Sequence, residues 1–171
     1  ERILRQGIRL HPDSAILHNN LGFCFLQKAE YGDAEGEFRA ALALMPLFSR
    51  ARMNLGLTLA RSGRFDDAAI EFSRVVTGDV AFYNVALICV DLRAFIAAEQ
   101  ALHRSLRVNP AYGPAKAELA KVIKLAEASR KAASASPTED AETDGRTWGR
   151  ADSFRSVPLA AQALGEDEDG P

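Results

Sequence analysis

The amino-acid sequence predicts an all-α fold: a right-handed solenoid of stacked helix-turn-helix units, closed by an end helix and followed by an acidic tail. Three observations carry this reading. The segment NNLGFCF at 19–25 recurs as MNLGLTL at 53–59 and as YNVALIC at 83–89. The interval from Gly22 to Gly56 equals that from Pro12 to Pro46. Within each copy, large apolar residues recur at three- and four-residue spacing, the period of an amphipathic helix. One such hairpin cannot bury its own apolar face, whereas stacked copies can.

The elements follow in chain order. In 1–12, Leu4, Gly7 and Pro12 stand where Phe38, Ala41 and Pro46 stand one unit later. This reads as the second helix of a truncated leading unit, with an apolar stripe that needs upstream cover, and the chain reads as a fragment. The first full unit is 13–46. Leu17, Leu21, Cys24 and Phe25 share a face of its first helix, and Ala34, Phe38, Ala41, Leu42 and Met45 share one of its second. Gly22 inside the first helix costs roughly 1 kcal/mol relative to alanine, so the packing must need the missing side chain. The second unit, 47–78, turns at Ser62-Gly63 and falls four residues short in register: Gly56 to Ala86 is 30 residues, against 34 from Gly22 to Gly56. Gly78 stands where another turn would lie, which clips the second helix. The third unit, 79–112, has Ala86 in place of the glycine and ends at Pro110. Proline follows the second helices because it cannot be tolerated inside them.

Residues 113–131 form an amphipathic end helix, with Leu119, Ile123 and Ala126 as inner stripe and Val122 beside it. Lys116, Lys121, Lys124 and Lys131 lie elsewhere on it. From about Ser129 large apolar residues become sparse, and 132–171 reads as a disordered acidic tail. Trp148, Phe154, Val157, Leu159 and Leu164 interrupt it. They suit a short motif that docks on a partner or folds back onto the chain's own groove. Charge divides the same way. Residues 1–131 carry 18 Lys and Arg against 14 Asp and Glu, a balance of +4; the tail carries 3 against 9, a balance of −6.

Taken together, the units resemble tetratricopeptide repeats, whose 34-residue pattern sets an aromatic, Leu-Gly, a second aromatic, Ala, Phe, Ala and Pro at fixed places. Unit one matches through His18, Leu21, Gly22, Phe25, Ala34, Phe38, Ala41 and Pro46. Unit two matches through Arg52, Leu55, Gly56, Leu59, Ala68, Phe72 and Val75, without the proline. Unit three offers Phe82, Val85, Ala86, Cys89, Ala98, Leu102, Ser105 and Pro110. The style resembles the bacterial type of repeat, including factors of pilus assembly and secretion.

No catalytic constellation accompanies the repeats. His11, His18 and His103 make neither HxxxH nor HExxH spacing. His18, at an aromatic position, reads as a partly buried packing residue. Glu35, Glu37, Asp66 and Asp67 lie near the starts of second helices, where carboxylates favour the positive helix end. No phosphate-cradling or nucleophile-elbow motif occurs, so no cofactor is expected. A balance of +4 spread along 1–131 is not the basic stripe of a nucleic-acid binder. No apolar run approaches the roughly 20 residues that span a bilayer. Cys24 and Cys89 read as two small buried thiols, which favours a reducing compartment such as the cytoplasm. The periplasm stays open if a leading signal is missing.

What remains is surface. In the resembled family the first helix of each unit lines a concave groove. Residue by residue this implies Asn19, Asn20, Phe23 and Gln27 in unit one, beside Ile16 and Leu26. It implies Arg50, Met53, Asn54, Leu57 and Arg61 in unit two, beside Ala60. In unit three it implies Tyr83, Asn84 and Leu87, beside Val80, Val90 and Asp91. Asn20, Asn54 and Asn84 form a ladder that either holds the backbone of a bound peptide or satisfies local backbone groups. Phe23, Met53, Leu57 and Tyr83 suit its apolar side chains. The cations with which some relatives clamp a terminal carboxylate are absent: those positions hold Asn19, Phe23, Asn54, Val80 and Asn84. The expected function is a non-catalytic scaffold binding a peptide or helix of a protein partner. The alternative is a substrate-recruiting appendage of a larger enzyme.

Overall fold

The computed structural model describes residues 1–135, as eight α-helices with no strand among them. They are α1 (Arg2–Leu10), α2 (Ala15–Gln27), α3 (Tyr31–Leu44), α4 (Ser49–Arg61), α5 (Phe65–Ser73), α6 (Gly78–Asp91), α7 (Phe95–Val108) and α8 (Gly113–Ala135). Each helix packs on the next in sequence, and α2, α3 and α4, α5 and α6, α7 form the hairpins. Two rows result. In the inner row α2 touches α4, α4 touches α6 and α6 touches α8. Among the described residues, the backbones of α1, α3, α5 and α7 make no such approach to one another. The inner row is therefore closed and the outer row splayed, as an α-solenoid requires.

The hairpins close on a ring pressed against a missing side chain. A Cβ at Gly22 would lie 2.9 Å from Phe38 Cε1 and 3.2 Å from the Ala34 carbonyl oxygen; at Gly56 it would lie 2.5 Å from Phe72 Cε1. Phe38 and Phe72 are wholly buried. In the third hairpin the equivalent repeat positions hold Ala86 and Leu102, both also wholly buried. Ala34, Ala68 and Ala98, each fully buried, keep the opposite side of the seam equally thin.

Helix ends repeat as strictly. His11, Met45 and Asn109 close α1, α3 and α7 with φ near −135° and extended ψ. Each precedes a proline, which disfavours the helical conformation at that residue. In the turn inside each hairpin, the amides of Glu30, Arg64 and Ala94 donate to carbonyls five residues back. That bond goes with a left-handed residue just before it: Ala29 (φ 59°), Gly63 (φ 85°) and Arg93 (φ 58°). Only the middle turn uses glycine.

Some expectations are corrected. α8 runs to Ala135, so 132–135 is helix and not the start of the tail. Alanine is the best helix former, and Arg130 Nη2 donates to Glu99 Oε2 of α7 at 2.6 Å, holding this end down. The buried stripe of α8 is Ala115, Val122 and Ala126; Ile123 is only half-buried. Met45 caps α3 and is 44% exposed, outside the core face. Cys89 is buried, and burial pushes its thiol up to about 12, but Cys24 is only half-buried. The second helix of the middle hairpin, α5, has 9 residues against 14 in α3 and α7. Trp148, Phe154 and the acidic segment beyond Ala135 lie outside the described residues.

Gly56→Ala gains about 1 kcal/mol of helix propensity but overpacks against Phe72, at a cost of up to about 3 kcal/mol. A net loss of roughly 1–2 kcal/mol is expected in urea melts, and adding Phe72→Leu should restore most of it, a positive coupling in a double-mutant cycle. Gly63→Ala meets no atom within 4 Å, so its cost is purely conformational, about 1 kcal/mol. Ala29→Gly should shift stability the opposite way by a similar amount.

Candidate functional site

The closed inner row decides which first-helix residues remain available. Asn20, Phe23, Gln27 and Arg50 are exposed, and Ile16 is 58% exposed. Asn54, Leu57, Arg61, Tyr83 and Leu87 are half-buried along the same row, with Val80 and Val90, and Asp91 is exposed. Asn19, Met53 and Asn84 are buried, as are Leu26 and Ala60. These residues lie in the contacts between neighbouring helices and not on the surface, which corrects the groove drawn from the sequence.

The amides are used within the row. Asn54 Nδ2 donates to Asn19 Oδ1 at 3.0 Å, joining α4 to α2, and Asn19 Nδ2 donates to Asn20 Oδ1 at 3.3 Å. Arg61 Nη2 donates to Asp91 Oδ2 at 3.1 Å, joining α4 to α6. At the far end the ring of Tyr83 meets that of Tyr112 edge-on, with centroids 5.5 Å apart. Burial pushes both phenols above their ordinary range. The row thus carries the exposed or half-buried apolar residues Ile16 and Phe23 on α2, Leu57 on α4, and Leu87 and Tyr83 on α6.

Asn109 holds the tyrosine pair in place. Its Oδ1 accepts from the amide of Ala111 at 3.1 Å and its carbonyl from that of Tyr112, fixing the turn into α8. Its Nδ2 donates to Asp79 Oδ2 at 2.7 Å, in the first turn of α6, and the buried Ser105 hydroxyl donates to the Asp79 carbonyl at 2.7 Å. The Thr77 hydroxyl and then the Asn109 amide, bonding to the ionised form, hold the Asp79 carboxyl below its ordinary value.

The model of the tetratricopeptide repeat family matches residues 1–44 and 25–84. With the paired helices and closed inner row, that decides the family. The chain is a tetratricopeptide-repeat protein. It is also similar to the peroxisomal targeting signal receptor of Candida albicans, with 35% identity over 65 residues; these are 38% of this chain and 11% of that protein. The chain therefore spans about a tenth of the length of that relative.

One feature of this tetratricopeptide-repeat protein departs from the packing expected of its sequence. At the repeat's first aromatic position His18 and Arg52 act through polar bonds to a glutamate. Glu37 Oε2 lies 2.7 Å from His18 Nδ1, and Pro12 O lies 3.4 Å from its Nε2. Arg52 donates at 2.8 Å both to Glu71 Oε2 and to the Pro46 carbonyl. Each pair ties a first helix to its own second helix and to the preceding turn. Glu35 also pairs outward, with Arg39 and Arg64 at 2.9 Å, and Glu37 lies beyond the first turn of α3. The helix-end reading holds for Asp66 and Asp67, which lie in the first turn of α5, and not for Glu35 or Glu37. The interval from His18 to Glu37 equals that from Arg52 to Glu71, and this recurrence was a readable signal. Among the described residues no three His, Cys, Asp or Glu are grouped to hold a metal ion, and no helix is long and apolar enough to cross a membrane.

A depressed carboxyl stabilises the fold above its unfolded pKa, and the contribution disappears as pH falls through the folded value. Asp79→Asn should lower the melting temperature near neutral pH. That gap should shrink at acid pH, below the ordinary carboxylate range of about 4; thermal melts of both proteins at the two pH values test it.

Proposed function

We propose that this chain is a non-catalytic recognition scaffold whose inner helical row binds a short peptide or helix of a protein partner. Tetratricopeptide repeats suggest a protein–protein interaction role. The observation that carries the finer reading is the apolar line of Ile16, Phe23, Leu57, Leu87 and Tyr83 across three separate helices. Isolated surface hydrophobes need no explanation, but an aligned row with a polar rim marks an interaction surface. Asn20, Gln27 and Arg50 supply exposed polar groups beside it. Asn54, being partly buried and already donating to Asn19, orders the row rather than the ligand. The ligand class that fits is therefore a segment anchored by two or three apolar side chains. The similar Candida albicans protein is by name a receptor for a targeting signal, which agrees with a short recognised segment.

The test pans a random-peptide display library against the whole chain and then titrates the selected peptides. Phe23→Glu with Leu57→Glu should weaken them tenfold or more, about 1.4 kcal/mol or above. Ile96→Glu, on the outer helix α7, should leave them unchanged. Circular dichroism verifies that the variants are folded. Selected peptides that bind both variants as they bind the parent would move the recognition surface away from the inner row.

A further inference from the structure

The outer row carries a second opening. Between α5, α6 and α7 lies a cleft of about 550 Å3, walled by Phe65, Phe82 and Val85, floored by Ala97 and Ala101, and rimmed by His103, Arg104 and Arg107. Its origin is a departure from the repeat. In the preceding unit the corresponding places hold Arg52 and Glu71, whose 2.8 Å ion pair occupies this position. Here they hold Phe82 and Ala101. Loss of the glutamate leaves space, and loss of the arginine leaves an aromatic wall. Arg104 lies over the Phe82 ring at 5.1 Å and also bonds Asp66 across the cleft. His103 and Arg107 are exposed and have no ion-pair partner among the described residues. An apolar slot under a cationic rim suits an aromatic side chain preceded by carboxylates.

The chain itself contains such a segment. Glu139, Asp140, Glu142 and Asp144 precede Trp148. The described chain ends at Ala135, and Arg130 bonds Glu99, a residue flanked on α7 by the cleft residues Ala97 and Gln100. Between Ala135 and Trp148 each residue can add about 3.3–3.6 Å of extended chain. The reach is several times the diameter of roughly 10–12 Å of the one helix to be passed. We propose that the α5–α7 cleft receives the chain's own acidic segment 139–148, with Trp148 in the slot and the carboxylates against Arg104 and Arg107. This is a site separate from the inner row.

Trp148 is the single tryptophan, so the intrinsic tryptophan fluorescence of the full chain reports this segment alone. The experiment compares the emission and acrylamide quenching of the full chain with those of a synthetic peptide of residues 136–150. Docking predicts a blue-shifted, quench-protected Trp148 in the full chain. Arg107→Glu leaves the packed residues untouched and should shift the docked-to-free ratio about fivefold toward free, the scale of one exposed charge pair reversed in sign. The double variant Phe82→Arg, Ala101→Glu rebuilds the ion pair of the preceding unit and should release Trp148 altogether. Emission equal to that of the free peptide overturns the proposal. A blue shift that neither cleft variant moves overturns it too; if Leu57→Glu moves that shift instead, the segment sits on the inner row. Loss of library peptides with Leu57→Glu is a separate readout, so either proposal can fail while the other stands.

Discussion

The array depends on how closely two helices of a hairpin can approach. Gly22 under Phe38 and Gly56 under Phe72 set that distance, with a hypothetical Cβ only 2.9 and 2.5 Å from ring carbon. The glycine is costly in isolation, but the wholly buried ring it admits contributes about 1.5–3 kcal/mol. The balance favours the pair only if both members are present. Ala86 and Leu102 hold the equivalent positions in the third hairpin. Because each hairpin is thin, the backbones of neighbouring first helices approach one another, while second helices meet only through long side chains such as Arg104 on Asp66. The closed inner row and the open outer row follow from that asymmetry.

A second device stiffens the stack. His18 with Glu37 and Arg52 with Glu71 join a first helix, a second helix and the turn before them through partly buried polar bonds. Exposed ion pairs contribute little; here the His18 ring also lies near the Pro12 carbonyl, and Arg52 donates to the Pro46 carbonyl. In the third hairpin the device is absent. Phe82 keeps the packing, Ala101 contributes no volume, and the cleft results. The shortened α5 lies on the other side of this joint, so the outer surface between α5 and α7 differs from that between α3 and α5.

The fold was legible because its signals are periodic. A constant interval between the first two copies, Gly or Ala against Phe or Leu, and proline after a second helix each recur in register, and the structure uses all three. The site was legible only in part. Assigning inner positions from the repeat placed the candidates on α2, α4 and α6, the row whose helices touch, but it could not separate residues facing solvent from those consumed between helices. Asn19, Met53 and Asn84 fall in the second class because α2, α4 and α6 touch directly, a tertiary fact that no single repeat encodes. Of the asparagines, Asn54 bonds Asn19 from α4 to α2, and Asn19 bonds Asn20 within α2. The end of α8 is hidden in the composition because the chain near Ser129 is polar, while the alanines that follow and the Arg130–Glu99 bond favour helix. The polar pairs were visible as a recurring interval, but the aromatic pattern of the repeat pointed to packing at that position and not to polar bonds.

The inner row and the outer cleft share α6, on which Tyr83 faces one and its neighbour Phe82 walls the other. Shared structure alone does not couple two sites. Coupling needs an element with two arrangements of similar energy that both ligands bias. α6 is held by Asp79 to Asn109 and by Asp91 to Arg61, and its Ala86 is wholly buried. A close-packed seam of this kind does not deform by fractions of an ångström without loss of contact. On the proposed reading, an occupant of the outer cleft would therefore leave the inner face as it is, and the two surfaces would act independently. Their chemistry differs as their origins do: the inner face is an apolar line left after the helices have satisfied one another, and the outer one is a cationic gap left where a repeated ion pair was replaced.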